Sequence, residues 1–240
     1  MVSDPHAVAP FYETDQGRMV AGLLRERLAL IAPPAGAMVA GIGYTLPYLS
    51  AWADGRRCVS VLSGRPERGQ MELGQTELGA AGPACVAVEN ALPFADLSCD
   101  TVLLVHGLEA AESARRLLRE CWRVLRDDGR LIVVAPNRRG LWALSDATPF
   151  GQGQPYSAPQ LARLLQAALF CIERQEGALY VPPSRLRLVM RGAEEWERLG
   201  RRFLSHLAGV TITEASKDLY GALPLAGAEA TRRVLALEGG

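Results

Sequence analysis

The chain has 240 residues, 49 % of them hydrophobic, which is enough for one sizeable core. Its 26 lysines and arginines balance 26 acids, so no global field draws it to nucleic acid or an anionic membrane. Five widely spaced cysteines form no C-x-x-C pair, which argues against a metal site, and no apolar leader or span is present, so the expected compartment is the cytoplasm.

In chain order, a polar arm precedes residues 18–31 (RMVAGLLRERLALI), whose apolar positions recur at helical period until Pro33-Pro34. Residues 37–42 read as a first strand, followed by a turn and helix start at 43–49 (GYTLPYL). RCVSVL (57–62) and ACVAV (84–88) are the second and third strands, with a short helix and a loop expected between 64 and 82. TVLLV (101–105) and LIVV (131–134) are further buried strands. Between them Leu117, Leu118, Cys121, Trp122, Val124 and Leu125 share one helical face, and Asp127-Asp128-Gly129 is the expected helix stop, with Gly129 at positive φ.

Residues 137–157 form a long connection with glycine, proline and aromatics, a pattern that suits a lid over a pocket. Ser157 is a candidate cap for a helix over 159–169, and FCIERQEGALYV supplies a strand or two. An amphipathic helix is expected over 193–207, with Trp196, Leu199, Phe203, Leu204 and Leu207 inward and Glu194-Glu195 at its solvated start. VTITEASK (210–217) is the last strand.

Leu92-Pro93-Phe94, Asp100-Thr101-Val102 and Arg123-Val124-Leu125 with Gly129 stand at the separations found in one family. On these residues the chain resembles the class I S-adenosylmethionine (SAM) dependent methyltransferases of the type 11 kind, with degenerate cofactor motifs. The resemblance implies an α/β, doubly wound, Rossmann-like mixed sheet of seven strands with helices on both faces. It also implies a single methyltransferase-like domain over 1–240, with a helical N-terminal arm (about 10–32) and a lid or insert region (about 137–208).

The implied activity is methyl transfer from SAM to a small-molecule acceptor. With motif acids missing, the other reading is a fold kept as an inactive binding or scaffolding module, which would have a protein partner. Doubly wound sheets bind ligands beyond the carboxyl ends of their strands at the switch point. Laid on the family's acid-x-G-x-G-x-G pattern, Gly41 takes the place of the acid, Gly43 that of the first glycine, Thr45 the second and Pro47 the third. Leu62, next to Ser63, stands where the family's ribose-binding acid would be, and Val88, with Glu89 and Asn90 following, where the adenine-binding acid would be. Tyr44, Tyr48, Ser63 and Tyr12 are the compensating candidates.

His106, just after the fourth strand, falls near the transferring methyl group in this scheme, where it would orient or deprotonate an acceptor. The other reading is a strand-end histidine bonded to backbone. Arg138 and Arg139 suit an acidic acceptor or a solvated turn, and Trp142, Phe150 and Tyr156 suit an aromatic acceptor pocket or the packing of the segment on its own core. SN2 transfer from a sulfonium rests on positioning and desolvation, so the absence of an obvious dyad does not weigh against an enzyme.

Overall fold

A computed structural model describes residues 5–52, 56–63, 84–87, 91–184 and 186–219. Seven strands form one sheet: β1 (Met38–Gly43), β2 (Arg57–Ser63), β3 (Ala84–Ala87), β4 (Cys99–Val105), β5 (Leu125–Pro136), β6 (Phe170–Ala178) and β7 (Val210–Lys217). Their spatial order is β3-β2-β1-β4-β5-β7-β6. The first five run parallel, and β7 is inserted antiparallel between β5 and β6. The order in which strands are added reverses between the parallel neighbours β1 and β4, so the crevice beyond Gly43 and Val105 is the switch point.

Alternation along the strands builds two core layers. Val39, Leu103, Ile132 and Val134 face α2 (Asp15–Ala29), α3 (Leu46–Leu49) and the N-terminal α1 (Pro5–Tyr12). Ala40, Ile42, Val102, Leu104, Leu131 and Val133 face α4 (Ala114–Val124) and α5 (Ala158–Ala167). The helix expected over 18–31 is α2, begun by Thr14, whose hydroxyl accepts from the Gly17 amide at 3.0 Å. Ser157 caps α5 in a reciprocal capping box with Gln160.

The LPF and R-V-L segments are held together by one guanidinium. Arg123 donates to the carbonyls of Leu92 (3.1 Å) and Phe94 (2.9 Å) and to Asp96 (2.7 Å). It also pairs with Glu120 at 2.8 Å, and Glu120 in turn accepts from the Leu92 amide. Glu120 is thereby held below the usual carboxylate range, chiefly by its hydrogen bond from Arg123. The family signature is therefore a clamp that fixes the entry to β4 on α4.

Two expectations are corrected. The helix before β5 stops at Val124, and Asp127-Asp128-Gly129 belong to the irregular start of β5, without a positive φ at Gly129. The amides of Leu97 and Ser98 satisfy the helix-end carbonyls of Arg123 and Val124 at 3.0 and 2.9 Å, so no glycine cap is needed. The inward face of α7 (Ala193–Phe203) is also different from the one expected. Trp196, Leu199 and Phe203 are 41, 55 and 66 % exposed and Leu204 is exposed, while Ala193, Glu197 and Gly200 are buried. Gly200 lies so close to the Tyr180 ring that a Cβ would sit 2.2 Å from it, and Glu197 accepts the amides of Leu179 and Tyr180. Backbone amides that need a partner have set the helix rotation against its hydrophobic pattern.

The segment 137–157 carries two short 3-10 turns, Leu141–Leu144 and Pro149–Gly151, which bury Trp142 and Phe150. The helix and loop expected over 64–82 lie outside the described residues. Among the described residues no helix is long and apolar enough to cross a membrane.

Candidate functional site

The turn after β1 fixes the switch point. Gly43 has φ +85°, and a Cβ there would lie 2.2 Å from the Val105 carbonyl oxygen, so this position requires glycine. The next amide, of Tyr44, donates to the same carbonyl at 2.8 Å. Gly41 has a different reason to lack a side chain. A Cβ at 41 would meet Thr45 Oγ1 at 2.2 Å and a Leu49 methyl at 2.5 Å. Thr45 is fully buried, and its hydroxyl lies 3.1 Å from that of Ser60. A neutral link between β1's turn and β2 thus fills the volume in which an acid at 41 would project.

At the end of β4 the chain turns through His106 at φ +56°, a left-handed conformation that costs a residue with a Cβ about 1–2 kcal/mol. The cost is offset by hydrogen bonds that orient the ring. Nδ1 lies 3.1 Å from Glu109 Oε1, and Nε2 lies 2.8 Å from the Tyr12 hydroxyl. That hydroxyl is 2.7 Å from the Tyr48 hydroxyl. His106, Glu109, Tyr12 and Tyr48 are all buried. Burial holds the phenols of Tyr12 and Tyr48 protonated far above their ordinary range. Every bond in the chain is satisfied when Nδ1–H donates to the carboxylate, Tyr12 donates to Nε2, and Tyr48 donates to Tyr12. The second carboxylate oxygen, Glu109 Oε2, is buried and has no hydrogen-bond partner among the described residues.

Aromatic rings enclose this chain. Tyr12 stacks on Tyr44 with centroids 5.1 Å apart and planes 24° apart. Phe150 lies 4.7 Å from the His106 ring and 5.5 Å from Trp142, and Phe11 meets Tyr12, Phe150 and Trp142 edge-on. On the other side of Phe11 opens a cavity of about 480 Å³, whose walls include Pro10 of α1, Thr148 and Pro149 of the 137–157 segment, and Arg187 and Met190 of α6 (Arg187–Arg191). That volume is in the range of small-molecule sites.

Of the residues singled out in the sequence, Tyr12, Gly41, Gly43, Tyr44, Thr45, Tyr48 and His106 converge here. Leu62 is half-buried near the end of β2, Ser63 is that strand's last residue, and Glu89 and Asn90 lie outside the described residues. Trp142 is buried with its Nε1 donating to the Val181 carbonyl at 2.7 Å, and Phe150 is buried beside it; neither lines the cavity. Arg138 is exposed, and Tyr156 packs on the layer at the opposite face of the sheet. Glu109 escaped the sequence reading. An acid three residues after a strand-end histidine has no periodic signature; its proximity to a residue already suspected was the only available signal.

The fold and a family model lead to the same group. Residues 39–133 match the family model described as a methyltransferase domain. A protein of Escherichia coli called YafS is 38 % identical over 76 residues, 31 % of this chain and 32 % of that protein. The chain spans about a third to a half of the length of this and the mycobacterial curated relatives it matches. Demethylmenaquinone methyltransferase of Roseiflexus sp. is 29 % identical over 197 residues, covering 78 % of this chain and 81 % of the relative. A SAM-dependent methyltransferase from Archaeoglobus fulgidus superposes with a TM-score of 0.60 at 17 % identity, over 86 % of this chain and 98 % of that one. The sequence over β1 to β5 thus matches a methyltransferase domain, and the seven-stranded sheet has the fold of the class I methyltransferases.

Proposed function

We propose that this protein transfers a methyl group from SAM to a small-molecule acceptor, with His106 as the residue that receives the acceptor's proton. The observation that carries the reading is the buried Glu109–His106–Tyr12 chain, set at the β1–β4 switch point of a methyltransferase sheet. The Roseiflexus relative, whose name gives it a small-molecule acceptor, supports the acceptor class.

The described residues fit the cationic end of SAM. Gly43 and Tyr44 would line it, and the carboxyl of Glu109, held on His106 just past β4, would complement its charge. Gly41 and Leu62 bring no carboxylate, so the ribose is left to neutral donors such as Ser63. SAM, when bound, supplies a methyl carbon that bonds to the acceptor as its bond to sulfur breaks and the electron pair leaves with sulfur.

The chain's own work is positioning and proton handling. Nε2 takes the proton released by the acceptor while Nδ1–H stays on Glu109, which holds the ring's tautomer and balances the imidazolium charge that forms. Aromatic walls exclude water, which would otherwise solvate both charges. A compartment that keeps thiols reduced, such as the cytoplasm, suits the five free cysteines. Calorimetric titration of the folded protein with SAM tests the reading: one site per chain is expected, and no heat at millimolar ligand would overturn it.

A further inference from the structure

The atom on His106 that would receive a proton already holds a phenol. Tyr12 sets its ring flat on Tyr44, at 5.1 Å between centroids, and its hydroxyl 2.8 Å from His106 Nε2. A second hydroxyl, of Tyr48, lies 2.7 Å from the Tyr12 oxygen. Tyr12 is the last residue of α1, an eight-residue helix with Pro10 inside it. Pro10 and Phe11 of the same helix wall the 480 Å³ cavity, so α1 is the partition between that cavity and His106.

From this geometry we propose that the acceptor is a hydroxylated aromatic molecule that takes the place of Tyr12, stacking on Tyr44 with its hydroxyl on His106 Nε2. The proposal rests on the methyl-transfer reading and names the substrate class for that site. Three features define the class. The slot is the thickness of one aromatic ring, because Tyr12 lies against Tyr44 at only 24° between planes. Its inner end offers an acceptor nitrogen and a hydroxyl donor, so a bare ring would leave buried polar groups unpaired, which sites of this kind reject strongly. Its outer side opens, once Phe11 moves with α1, into a cavity whose wall carries Arg187, so a ring larger than a phenol or one with an anionic substituent has somewhere to extend.

Withdrawal of α1 breaks both hydrogen bonds of Tyr12, and the incoming hydroxyl restores them. The exchange is close to balanced in hydrogen bonds, so binding is decided by ring stacking and by what the cavity adds. The proton then passes from the bound hydroxyl to Nε2, and the freed oxygen is the nucleophile for the methyl carbon of SAM.

The test titrates the full chain with 4-nitrophenol, with nitrobenzene as the ring that lacks a hydroxyl, and follows amide exchange in residues 5–12. Binding of 4-nitrophenol, faster exchange in that helix and growth of the phenolate absorbance band are expected, with nitrobenzene at least about tenfold weaker. Tyr12→Phe, which removes the competing hydroxyl and keeps the ring, is expected to tighten 4-nitrophenol by about two- to tenfold, the worth of one hydrogen bond. His106→Gln is expected to erase the preference over nitrobenzene. Equal binding of the two probes, unchanged exchange in α1, or no tightening in Tyr12→Phe would overturn the proposal. A separate titration with S-adenosylhomocysteine keeps the two readings apart. If it binds while 4-nitrophenol does not, the acceptor class fails alone; if 4-nitrophenol binds as described and it does not, methyl transfer fails alone.

Discussion

Gly41 and Thr45 are the two residues that most separate this site from the family pattern, and they depart together for a steric reason. The Thr45 side chain occupies the volume of any side chain at 41. Gly41→Asp should therefore destabilise the protein by about 3 kcal/mol or more, since it overpacks a buried position and places an unpaired charge there. Thr45→Gly alone breaks the buried bond to Ser60 and leaves a void, at about 1–3 kcal/mol. In the double variant the carboxylate gains the vacated space, so the combined loss should be smaller than the sum by about 1 kcal/mol or more. Urea unfolding of the four proteins measures this, and strict additivity would show that the two sites do not share volume. Gly43→Ala should cost about 2–4 kcal/mol, because the backbone there combines positive φ with a carbonyl 2.2 Å from the new Cβ.

Among the elements, α7 shows how a hydrophobic pattern misleads. Its apolar residues recur at helical spacing, yet the buried face is set by Glu197, which accepts the amides of Leu179 and Tyr180. Phe203→Ser should change stability by less than about 0.5 kcal/mol, as a surface substitution does, where an inward Phe would cost several times more. Burial raises the Glu197 pKa above its ordinary 4.5, outweighing the amides and Arg27 that act to lower it. A carboxyl raised in the folded state contributes stability that is fully present below the unfolded value and is lost as pH rises through the folded one. Glu197→Gln keeps an oxygen for the amides and removes the titration. The variant should therefore gain on the wild type as pH climbs from about 4.5, and then run parallel to it; a constant difference across that range would contradict the assignment. In α4, Arg123→Ala removes donors from Leu92, Phe94 and Glu120 and should lower stability by about 1–3 kcal/mol, read as a shift in the denaturation midpoint.

Across the whole molecule, the central strands were legible as short apolar runs, and the spacing of LPF, D-x-V and R-V-L marked the β4–α4–β5 unit; the spatial order of the strands came from the fold. Gly43 and His106 were legible because they flank β1 and β4 at the switch point. Glu109 and the closure of Tyr12 on His106 were not, and for Trp142 and Phe150 the sequence left pocket lining and core packing both open. Each depends on a contact between segments far apart in the chain or on a loop whose conformation no period encodes. Local pattern specifies the sheet, while the chemistry at its carboxyl edge comes from connections that only the packed fold brings together.

Binding of SAM at the β1–β4 switch point is open to direct view in a crystal structure grown with S-adenosylhomocysteine. The ligand is expected beyond β1, against Gly43 and Tyr44, with its sulfur on the side of His106 and Glu109. Well-ordered crystals in which saturating ligand leaves that crevice filled by the protein's own side chains would contradict it.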